Sequence, residues 1–476
     1  MHNLKVYATD LAGKENSIMA SLKIDFDKGT LILQNVPEAL QSQLPNIRWD
    51  ERTLTFRAPA YRYRHIVSQL RAHNIPYTDT ARQFTAKPFT NQKNVSPYPY
   101  QSEAIDAWHA NNKRGVISLP TGAGKTFIAV LLIADTQRPT LVHVPTIDLM
   151  HQWYEVLKEH FGEEVGLYGG GQHELQDLTV TTYQSAVMHA PHYGNRFGFA
   201  IFDECHHLPG DQYQYAAISS IAPFRLGLTA TPERVDGKES RLYALVGECC
   251  YEAQVQELSG KTLSEYRVVT IAVDMEDTER VQYEEARRTY LNFLKQAKIN
   301  MGTPRGWQTF LWKSSQSEAG RTAFKAYLTQ KQLSFASAAK QEWVWKLIQR
   351  HRGDRILIFT QDNDTAYQIG TRFFLPVLTH QTKLKERNAF LNGFRDGTFS
   401  ILVTSKVLNE GVDVPEANVA IIVSGSGSVR EHVQRLGRIL RKREGKQAVL
   451  YELISKQTSE QFVNKRRRQH HAYQTR

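Results

Sequence analysis

The sequence predicts an α/β protein in which two domains are each built on a parallel β-sheet. Short apolar runs alternate with helix-length segments from about residue 115 onward, which is typical of strands buried beneath helices. This alternation stops near residue 280 and returns near residue 355, which predicts two such domains. A glycine-rich stretch, SLPTGAGKT (118–126), follows the first apolar run, where parallel-sheet domains commonly bind phosphate.

Composition limits the classes of function. The 476 residues suffice for two or three domains, and 41% of them are hydrophobic, as in ordinary globular proteins. Three cysteines cannot form a disulfide framework, so we expect a reducing, cytoplasmic setting, with nucleoid association if the source is prokaryotic. The longest apolar run, FIAVLLIA (127–134), is too short for a membrane span. The net charge of +11 favours a polyanionic partner.

The elements follow in order along four predicted segments. Residues 1–95 predict a small α+β domain that contains a hairpin at KIDFDKGTLILQ (23–34), with a polar linker near its end. Residues 96–245 form the first parallel-sheet domain, residues 246–456 the second, and residues 457–476 a basic tail. Residues 280–335 lose the strand pattern and predict helices. Strands are predicted at 115–120, 140–145, 178–183, 199–204, 225–231, 355–360, 401–405, 418–424 and 448–454.

The glycine-rich stretch predicts a phosphate-binding loop. Its backbone amides would surround phosphate oxygens, Lys125 would reach the β- and γ-phosphates, and the Thr126 hydroxyl would bind Mg²⁺. The strict motif has glycine where this chain has Leu119, and a plain glycine-rich turn is the alternative. The loop residues expected at the cofactor are Thr121, Gly122, Ala123 and Gly124.

The stretch IFDECHHL (201–208) ends an apolar strand with two acids. Asp203 would hold Mg²⁺, and Glu204 would orient and polarise the attacking water. A zinc site is disfavoured, because Cys205 and two consecutive histidines diverge and lack a second ligand pair nearby. We expect His206 to hydrogen-bond to the LTATP segment (228–232), the alternative being that the histidines cap the strand end.

The second domain carries the basic stretch QRLGRILR (434–441). Arg438 and Arg441 lie one helical turn apart, and Gln434 lies one turn earlier on the same face. Aimed into a nucleotide cleft, the arginines would stabilise charge that develops on the γ-phosphoryl group. An exposed basic helix is the alternative.

Taken together, the motifs resemble the XPB family of superfamily-2 DNA helicases, in particular its compact archaeal and bacterial members. Nine motifs carry the resemblance in one order: PYPYQ (97–101), LPTGAGKT (119–126), VPTIDLMHQW (144–153), TTYQSA (181–186), DECHH (203–207), LTATP (228–232), ILIFTQ (356–361), TSKVLNEGVDVP (404–415) and QRLGRILR (434–441). Four stretches narrow it to XPB: FDECHHLPG (202–210), APFRLGLTATPER (222–234), SGSGSVRE (424–431) and LYELIS (450–455).

The resemblance implies two RecA-like domains with Mg-ATP between them and DNA across both. It implies an ATP-dependent 3′–5′ DNA helicase or translocase acting in nucleotide excision repair, with forked, single-stranded or damaged duplex DNA as partner and a structure-specific nuclease as a candidate partner. Gln101 would contact adenine, Thr229 and Thr231 would couple nucleotide state to DNA, and Gly411 and Asp413 would sense ATP. A surface glutamine and strand-end threonines are the alternatives.

Two features bear on strand separation. The family's Arg-Glu-Asp element reads Arg234-Val235-Asp236 here, so a duplex translocase that does not separate strands is an alternative function. An ATP-gated DNA-binding switch is another. Residues 287–331 resemble the family's thumb-like insertion, with nine Lys or Arg and seven aromatics that include Trp307, Phe310 and Trp312. These rings are expected either to contact DNA bases or to pack within the insertion.

The two ends of the chain carry weaker predictions. The first 95 residues loosely resemble a damage-recognition domain, in which Arg62 and Arg64 are expected either to contact phosphates or to line a solvated helix face. The tail from residue 465 onward contains several cations and no acid. It is expected to contact DNA or a partner nuclease, or to be disordered.

Overall fold

A computed structural model describes residues 21–162, 164–231, 237–258, 266–303, 305–405, 417–424 and 448–461. The chain begins with a five-stranded sheet in the order β3-β4-β2-β1-β5. Strands β1 and β2 form the predicted antiparallel hairpin, with Gly29 at its turn in the left-handed region (φ +81°). The elements are β1 Leu22–Asp27, β2 Thr30–Gln34, α1 Glu38–Gln41, β3 Arg48–Asp50, β4 Thr55–Pro59, α2 Tyr63–Ala72 and β5 Tyr77–Asp79.

An eight-stranded sheet follows, in the order β13-β6-β12-β11-β7-β10-β8-β9. Its neighbouring strands are parallel except for β8 and β9. The elements are α3 Pro99–Ala110, β6 Arg114–Ser118, α4 Lys125–Thr136, β7 Thr140–Val144, α5 Ile147–Phe161, β8 Val165–Gly169, β9 Gln172–His173, β10 Leu178–Thr182, α6 Tyr183–Tyr193, β11 Phe199–Asp203, α7 Gln214–Ile218, β12 Phe224–Thr229, α8 Glu239–Leu245 and β13 Cys249–Glu252.

A second parallel sheet has the strand order β14-β19-β18-β15-β17-β16. Along the described part of the chain, four helices lie between strands β14 and β15. They confirm the helical prediction for residues 280–335. The elements are α9 Val255–Leu258, β14 Tyr266–Val273, α10 Asp277–Gln296, α11 Gly306–Ser315, α12 Glu318–Ala336, α13 Ala338–Arg350, β15 Ile356–Phe359, α14 Asn363–Phe373, β16 Val377–Leu378, α15 Leu384–Asp396, β17 Ile401–Thr404, β18 Val419–Ile422 and β19 Ala448–Ser455.

All nine predicted strands of the two parallel sheets are present. Central strands β7, β10, β11 and β15 are buried along their whole length, as expected where helices cover both faces of a parallel sheet. Because these strands run in one direction, their carboxyl ends meet at one edge of each sheet, and the predicted loop and acids lie at that edge of the first sheet. Among the described residues, no helix is both long and apolar enough to cross a membrane.

The N-terminal sheet packs against the first parallel-sheet domain. Arg64 Nη1 donates to the carbonyl oxygens of Asn112 (2.7 Å) and Pro223 (3.1 Å), and Asn195 Nδ2 donates to Ala81 O (2.9 Å). The expectation of a solvated helix face is therefore wrong for Arg64. This side chain is drawn into the contact between domains because unpaired carbonyls need a donor there.

Candidate active site

The glycine-rich loop joins β6 to α4, as its sequence predicts. Gly122 and Gly124 have positive φ angles of 87° and 75°, so side chains are disfavoured at both positions. Leu119, in contrast, does not have a positive φ and is fully buried. The departure from the strict motif is thus accommodated, because the backbone at residue 119 does not require glycine.

The polar groups of this loop fit a phosphate ligand. Lys125 Nζ donates to Leu119 O (2.9 Å) and Pro120 O (3.4 Å), which holds the ammonium group within the loop. The Thr121 hydroxyl oxygen is buried without a hydrogen-bond partner among the described residues. Thr126 is partly exposed in the first turn of α4. A polyanion would supply acceptors for these donors together with the helix N-terminus.

Gln101 lies beneath the loop, and the expectation of a surface glutamine is wrong because it is 3% exposed. Its Nε2 donates to Ala123 O (3.2 Å), and its Oε1 accepts from the Tyr98 amide (2.9 Å). Tyr100 supports the same carbonyl, since its hydroxyl donates to Ala123 O at 2.8 Å. Gln101 therefore joins helix α3 to the loop, and its contact with adenine stays a prediction.

Asp203 ends strand β11 at the same edge, and its carboxylate is buried and held on both oxygens. Oδ2 accepts from Trp153 Nε1 (2.8 Å), and Oδ1 accepts from the Glu204 amide (3.0 Å). Tyr183 donates its hydroxyl to the Asp203 carbonyl oxygen at 2.9 Å. Burial raises the pKa of Asp203, whereas Trp153 and the Lys125 ammonium act to lower it. These contacts fix the orientation of the carboxylate and only partly offset burial, which keeps the pKa of Asp203 above its usual value.

Glu204 has a left-handed backbone (φ 47°), which is rare for a residue with a side chain. This turn brings its Oε2 to 3.3 Å from His206 Nδ1. The same ring nitrogen lies 3.1 Å from Thr229 Oγ1, so the predicted hydrogen bond to the LTATP segment is present. Thr229 Oγ1 in turn lies 3.2 Å from the Thr231 amide, which donates to it. Glu204 is thereby connected through His206 to the end of strand β12.

A metal-binding cluster of three or more histidine, cysteine, aspartate or glutamate side chains does not occur in the described part of the chain. Cys205 is buried, and burial raises its thiol pKa well above the usual value. The stretch thus lacks the closed ligand shell that structural zinc requires.

Several predicted residues lie outside the described residues. They are Arg234, Asp236, Gly411, Asp413, Gln434, Arg438 and Arg441, together with residues 462–476 of the basic tail.

One ion pair joins the two parallel-sheet domains within the described residues. Arg387 Nη1 of helix α15 lies 2.5 Å from Asp148 Oδ2 of helix α5, and both side chains are largely buried.

The aromatic residues of the insertion fall into a buried group and an exposed group. Phe310 is fully buried, and the rings of Tyr290 and Tyr327 pack around it at centroid distances of 5.3 and 5.9 Å. Trp312 is 62% exposed, and Trp307 is partly exposed against Tyr327. Phe310 is therefore a packing residue, whereas Trp312 keeps a free surface that a base can reach.

Sequence reasoning missed Trp153 and Tyr183 as supports of Asp203. Both belong to quoted motifs, VPTIDLMHQW and TTYQSA, but each looks like an ordinary core aromatic. The parallel sheet brings them to Asp203 across separations of 50 and 20 residues. A buried indole or phenol needs a polar partner, and that need was the signal available in the sequence.

A phosphate loop, a strand-end acid pair and a second parallel-sheet domain define a nucleotide-driven motor of the helicase type. The fold agrees with this class: the Hef helicase domain of Pyrococcus furiosus superposes with a TM-score of 0.51 at 18% identity, over 77% of this chain and 97% of that one. Three families match consecutive parts of the chain. "Xeroderma pigmentosum group B helicase damage recognition domain" matches residues 24–81, "Type III restriction enzyme, res subunit" matches 94–234, and "ERCC3/RAD25/XPB C-terminal helicase" matches 321–475.

The chain belongs to the XPB family. It is 36% identical to the DNA 3'-5' translocase XPB2 of Sulfurisphaera tokodaii, over 89% of this chain and 96% of that protein. It is also 32% identical to the DNA 3'-5' helicase XPB of Kineococcus radiotolerans, over 76% of this chain and 60% of that protein. The general transcription and DNA repair factor IIH helicase/translocase subunit XPB/SSL2 of Saccharomyces cerevisiae is 27% identical over 78% of this chain and 43% of its own. Membership of a helicase family implies the use of ATP.

Proposed function

We propose that the protein is an ATP-driven 3′–5′ motor on DNA that opens or remodels the duplex, with nucleotide excision repair as its setting. The observation that carries the proposal is the connected path from Glu204 through His206 to Thr229. A nucleotide switch without turnover does not need such an acid at its phosphate edge, whereas a motor must link hydrolysis to movement. The relatives' names, which refer to DNA 3'-5' helicases and translocases, support the substrate and polarity.

The side chains at the carboxyl edge of the first parallel sheet would each have a separate role in ATP hydrolysis. Mg-ATP would supply the phosphoryl group, and Lys125, which donates to Leu119 O at 2.9 Å, would turn toward the phosphates. Thr126 and the fixed Asp203 carboxylate would hold the ion. Glu204 would orient the attacking water and accept its proton. Departure of Glu204 from His206 would leave the Nδ1 atom of His206 to Thr229 alone and so report turnover to the neighbouring strand.

The insertion offers the surface that would meet nucleic acid. Trp312 exposes most of its ring within a segment that contains nine cations and only one acid between residues 287 and 331. Cations bind phosphates, and an exposed ring stacks on bases regardless of their sequence. We place the action of the protein in the cytoplasm, with a structure-specific nuclease acting on the opened DNA as a proposed partner.

The decisive experiment measures ATP hydrolysis without DNA and with single-stranded, duplex or forked DNA. Lys125→Ala is the inactive variant, and Lys158→Ala, at the exposed surface of helix α5, removes a cation outside the loop. We expect forked or single-stranded DNA to stimulate turnover in the wild type and in Lys158→Ala, and Lys125→Ala to be inactive. Tight ATP-dependent DNA binding without turnover would contradict the motor and support a switch.

A duplex translocase that does not separate strands is the second candidate. The observation in its favour is Val235, which replaces the central acid of the family's Arg-Glu-Asp element. Strand-displacement and triplex-displacement assays on the same preparation separate the two functions. Triplex displacement without strand separation would assign the translocase, and restoration of separation by Val235→Glu would explain the difference.

A further inference from the structure

A buried group of polar residues joins two strand ends in the second motor domain. Lys340, in the first turn of helix α13, is fully buried, and its Nζ donates to Val423 O at 2.8 Å and to Glu460 Oε2 at 2.7 Å. The same Glu460 oxygen accepts from the Ser455 amide at 3.0 Å. We call Lys340, Val423, Ser455 and Glu460 the polar node. It ties the carboxyl end of strand β19 to the residue that follows strand β18.

The helical insertion is attached to the same strand end near both of its own ends. Ser455 Oγ donates to Ser334 O at 2.8 Å, near the end of helix α12. Both Nη atoms of Arg280, on helix α10, donate to Lys456 O at 3.1 Å. Helix α12 also packs against helix α11, which carries Trp312, through rings whose centroids lie 6.2 Å apart. The polar node is therefore connected to the surface that we propose meets DNA.

On its other side, the polar node fixes the backbone from which the arginine-bearing stretch continues. Val423 is fully buried, its amide donates to Phe359 O at 3.0 Å, and its carbonyl oxygen accepts from Lys340. Ser424 is also buried, and its Oγ accepts from the amide of the second residue after strand β15 at 2.9 Å. The sequence continues from Ser424 toward QRLGRILR (434–441), which contains the arginines predicted to act on the γ-phosphoryl group.

Stability alone does not require a charged pair at this position. Taking two charges out of water is costly, and an apolar pair of similar volume is often as stable or more stable. The ammonium group differs from an apolar side chain because it donates in several directions at once. Here it donates to a strand-end carbonyl and to an acid that accepts from a second strand end. The pair therefore fixes the relative positions of elements that apolar packing would define less sharply.

We propose that Lys340 and Glu460 are positioning residues, which transmit the placement of the insertion on DNA to the arginine-bearing stretch. Both side chains belong to the second motor domain, whereas the phosphate loop belongs to the first. Their effect on hydrolysis is therefore indirect and acts through the chain that follows Ser424. DNA held by the insertion sets the position from which the arginines reach the nucleotide. The inference rests on the proposed motor function and adds the residues through which DNA stimulates it.

The test separates position from stability with two variants of the full chain. Lys340→Met/Glu460→Leu puts apolar side chains in place of the pair, which should keep the fold stable, but it removes the partners of Val423 O and the Ser455 amide. Glu460→Gln keeps an oxygen that can accept from Lys340 and Ser455, but it removes the negative charge that faces the buried ammonium group, so it should unfold more readily. Val344→Ala, one turn further along helix α13 in the core, is the control for lost packing.

Urea unfolding ranks the stabilities, and ATP hydrolysis with forked DNA is measured at a temperature at which all four proteins are folded. We expect Lys340→Met/Glu460→Leu to lower the DNA-stimulated kcat by about 10- to 100-fold, the loss that a misplacement of about 1 Å can produce. The KM for ATP and the DNA affinity in anisotropy assays should stay close to those of the wild type. Glu460→Gln and Val344→Ala should hydrolyse ATP at close to the wild-type rate, although both are less stable.

A purely structural role predicts that activity follows stability in urea. That order, or a wild-type kcat in the double variant, would overturn the proposal. Hydrogen exchange supplies a readout that does not need turnover: the peptide that ends at Ser424 should exchange about fivefold faster in the double variant, as expected for one lost hydrogen bond, but not in Glu460→Gln. Absence of DNA-stimulated hydrolysis in the wild type would contradict the proposed motor, whereas equal exchange in the wild type and the double variant would refute the positioning role itself.

Discussion

Replacing Trp153 with phenylalanine tests whether a buried indole orients the Asp203 carboxylate for the Mg²⁺ ion that we propose it holds. The change keeps an aromatic ring in the core but removes the N–H that donates to Asp203 Oδ2 at 2.8 Å. A hydrogen bond to a charged group contributes about 1.5–3 kcal/mol, and removing a group that orients a metal ligand typically costs about 10- to 100-fold in metal affinity or activity. We therefore expect half-maximal hydrolysis to need about 10- to 100-fold more Mg²⁺. A Mg²⁺ titration at saturating ATP measures this requirement.

Trp108→Phe is the matched control for this prediction. Trp108 is also fully buried in the first motor domain, and its Nε1 donates to a neutral group, the Arg225 carbonyl oxygen, at 2.9 Å. Both variants lose one indole hydrogen bond, so both should unfold at a lower temperature. Only Trp153→Phe should alter the Mg²⁺ requirement. If that requirement changes less than twofold, or changes equally in both variants, Trp153 does not position Asp203 for the ion.

Three other predictions concern single side chains of known burial. Lys340 forms a buried ion pair with Glu460 at 2.7 Å, so Lys340→Met should lower the free energy of unfolding by about 3–5 kcal/mol in urea, and Lys340→Met/Glu460→Leu should recover much of the loss. Trp312→Ala should weaken single-stranded DNA binding by about 1–3 kcal/mol in anisotropy assays with an unchanged melting temperature, whereas buried Phe310→Ala should destabilise the insertion by about 3–5 kcal/mol. Burial lowers the pKa of His143 to about 4 in the folded protein. Between pH 6.5 and 4.5 the imidazole therefore takes up a proton in the unfolded chain but mostly not in the folded one, so the free energy of unfolding should fall by about 2–3 kcal/mol as the pH is lowered over this range. His143→Leu should reduce that fall in melts at both pH values, and an undiminished fall would exclude His143 as its source.

The strand pattern of the motor domains was predictable because buried parallel strands are continuous apolar runs. Strand β14 was not predicted, although YRVVTIAV (266–273) carries the same β-branched signal. Strand β13, CCYE (249–252), offers no such signal and is an edge strand of its sheet. Its pairing with β6 depends on the rest of the sheet, which local sequence cannot reveal.

The site was predictable where the backbone needs a particular residue and less so where distant side chains meet. Gly122 and Gly124 were predictable because the loop backbone has positive φ angles there, which favour glycine. The hydrogen bond between Trp153 and Asp203 depends instead on how helix α5 packs on the sheet. The insertion illustrates the same limit. Phe310 and Trp312 are two residues apart on helix α11 and so point in different directions, but sequence alone does not indicate which side faces the core.

The order of three neighbouring strands explains how hydrolysis at one end can be sensed beside it. Strand β12 lies between β6, which precedes the phosphate loop, and β11, which ends in Asp203. The Leu119 amide donates to Thr229 O at 3.0 Å, so the loop is joined to the Thr229 backbone. His206 joins the Thr229 side chain to Glu204 on the other side. Thr229 is therefore linked to the loop through its carbonyl oxygen and to Glu204 through His206. In the proposed mechanism, a strand end with both links would transmit the completed reaction rather than nucleotide binding alone.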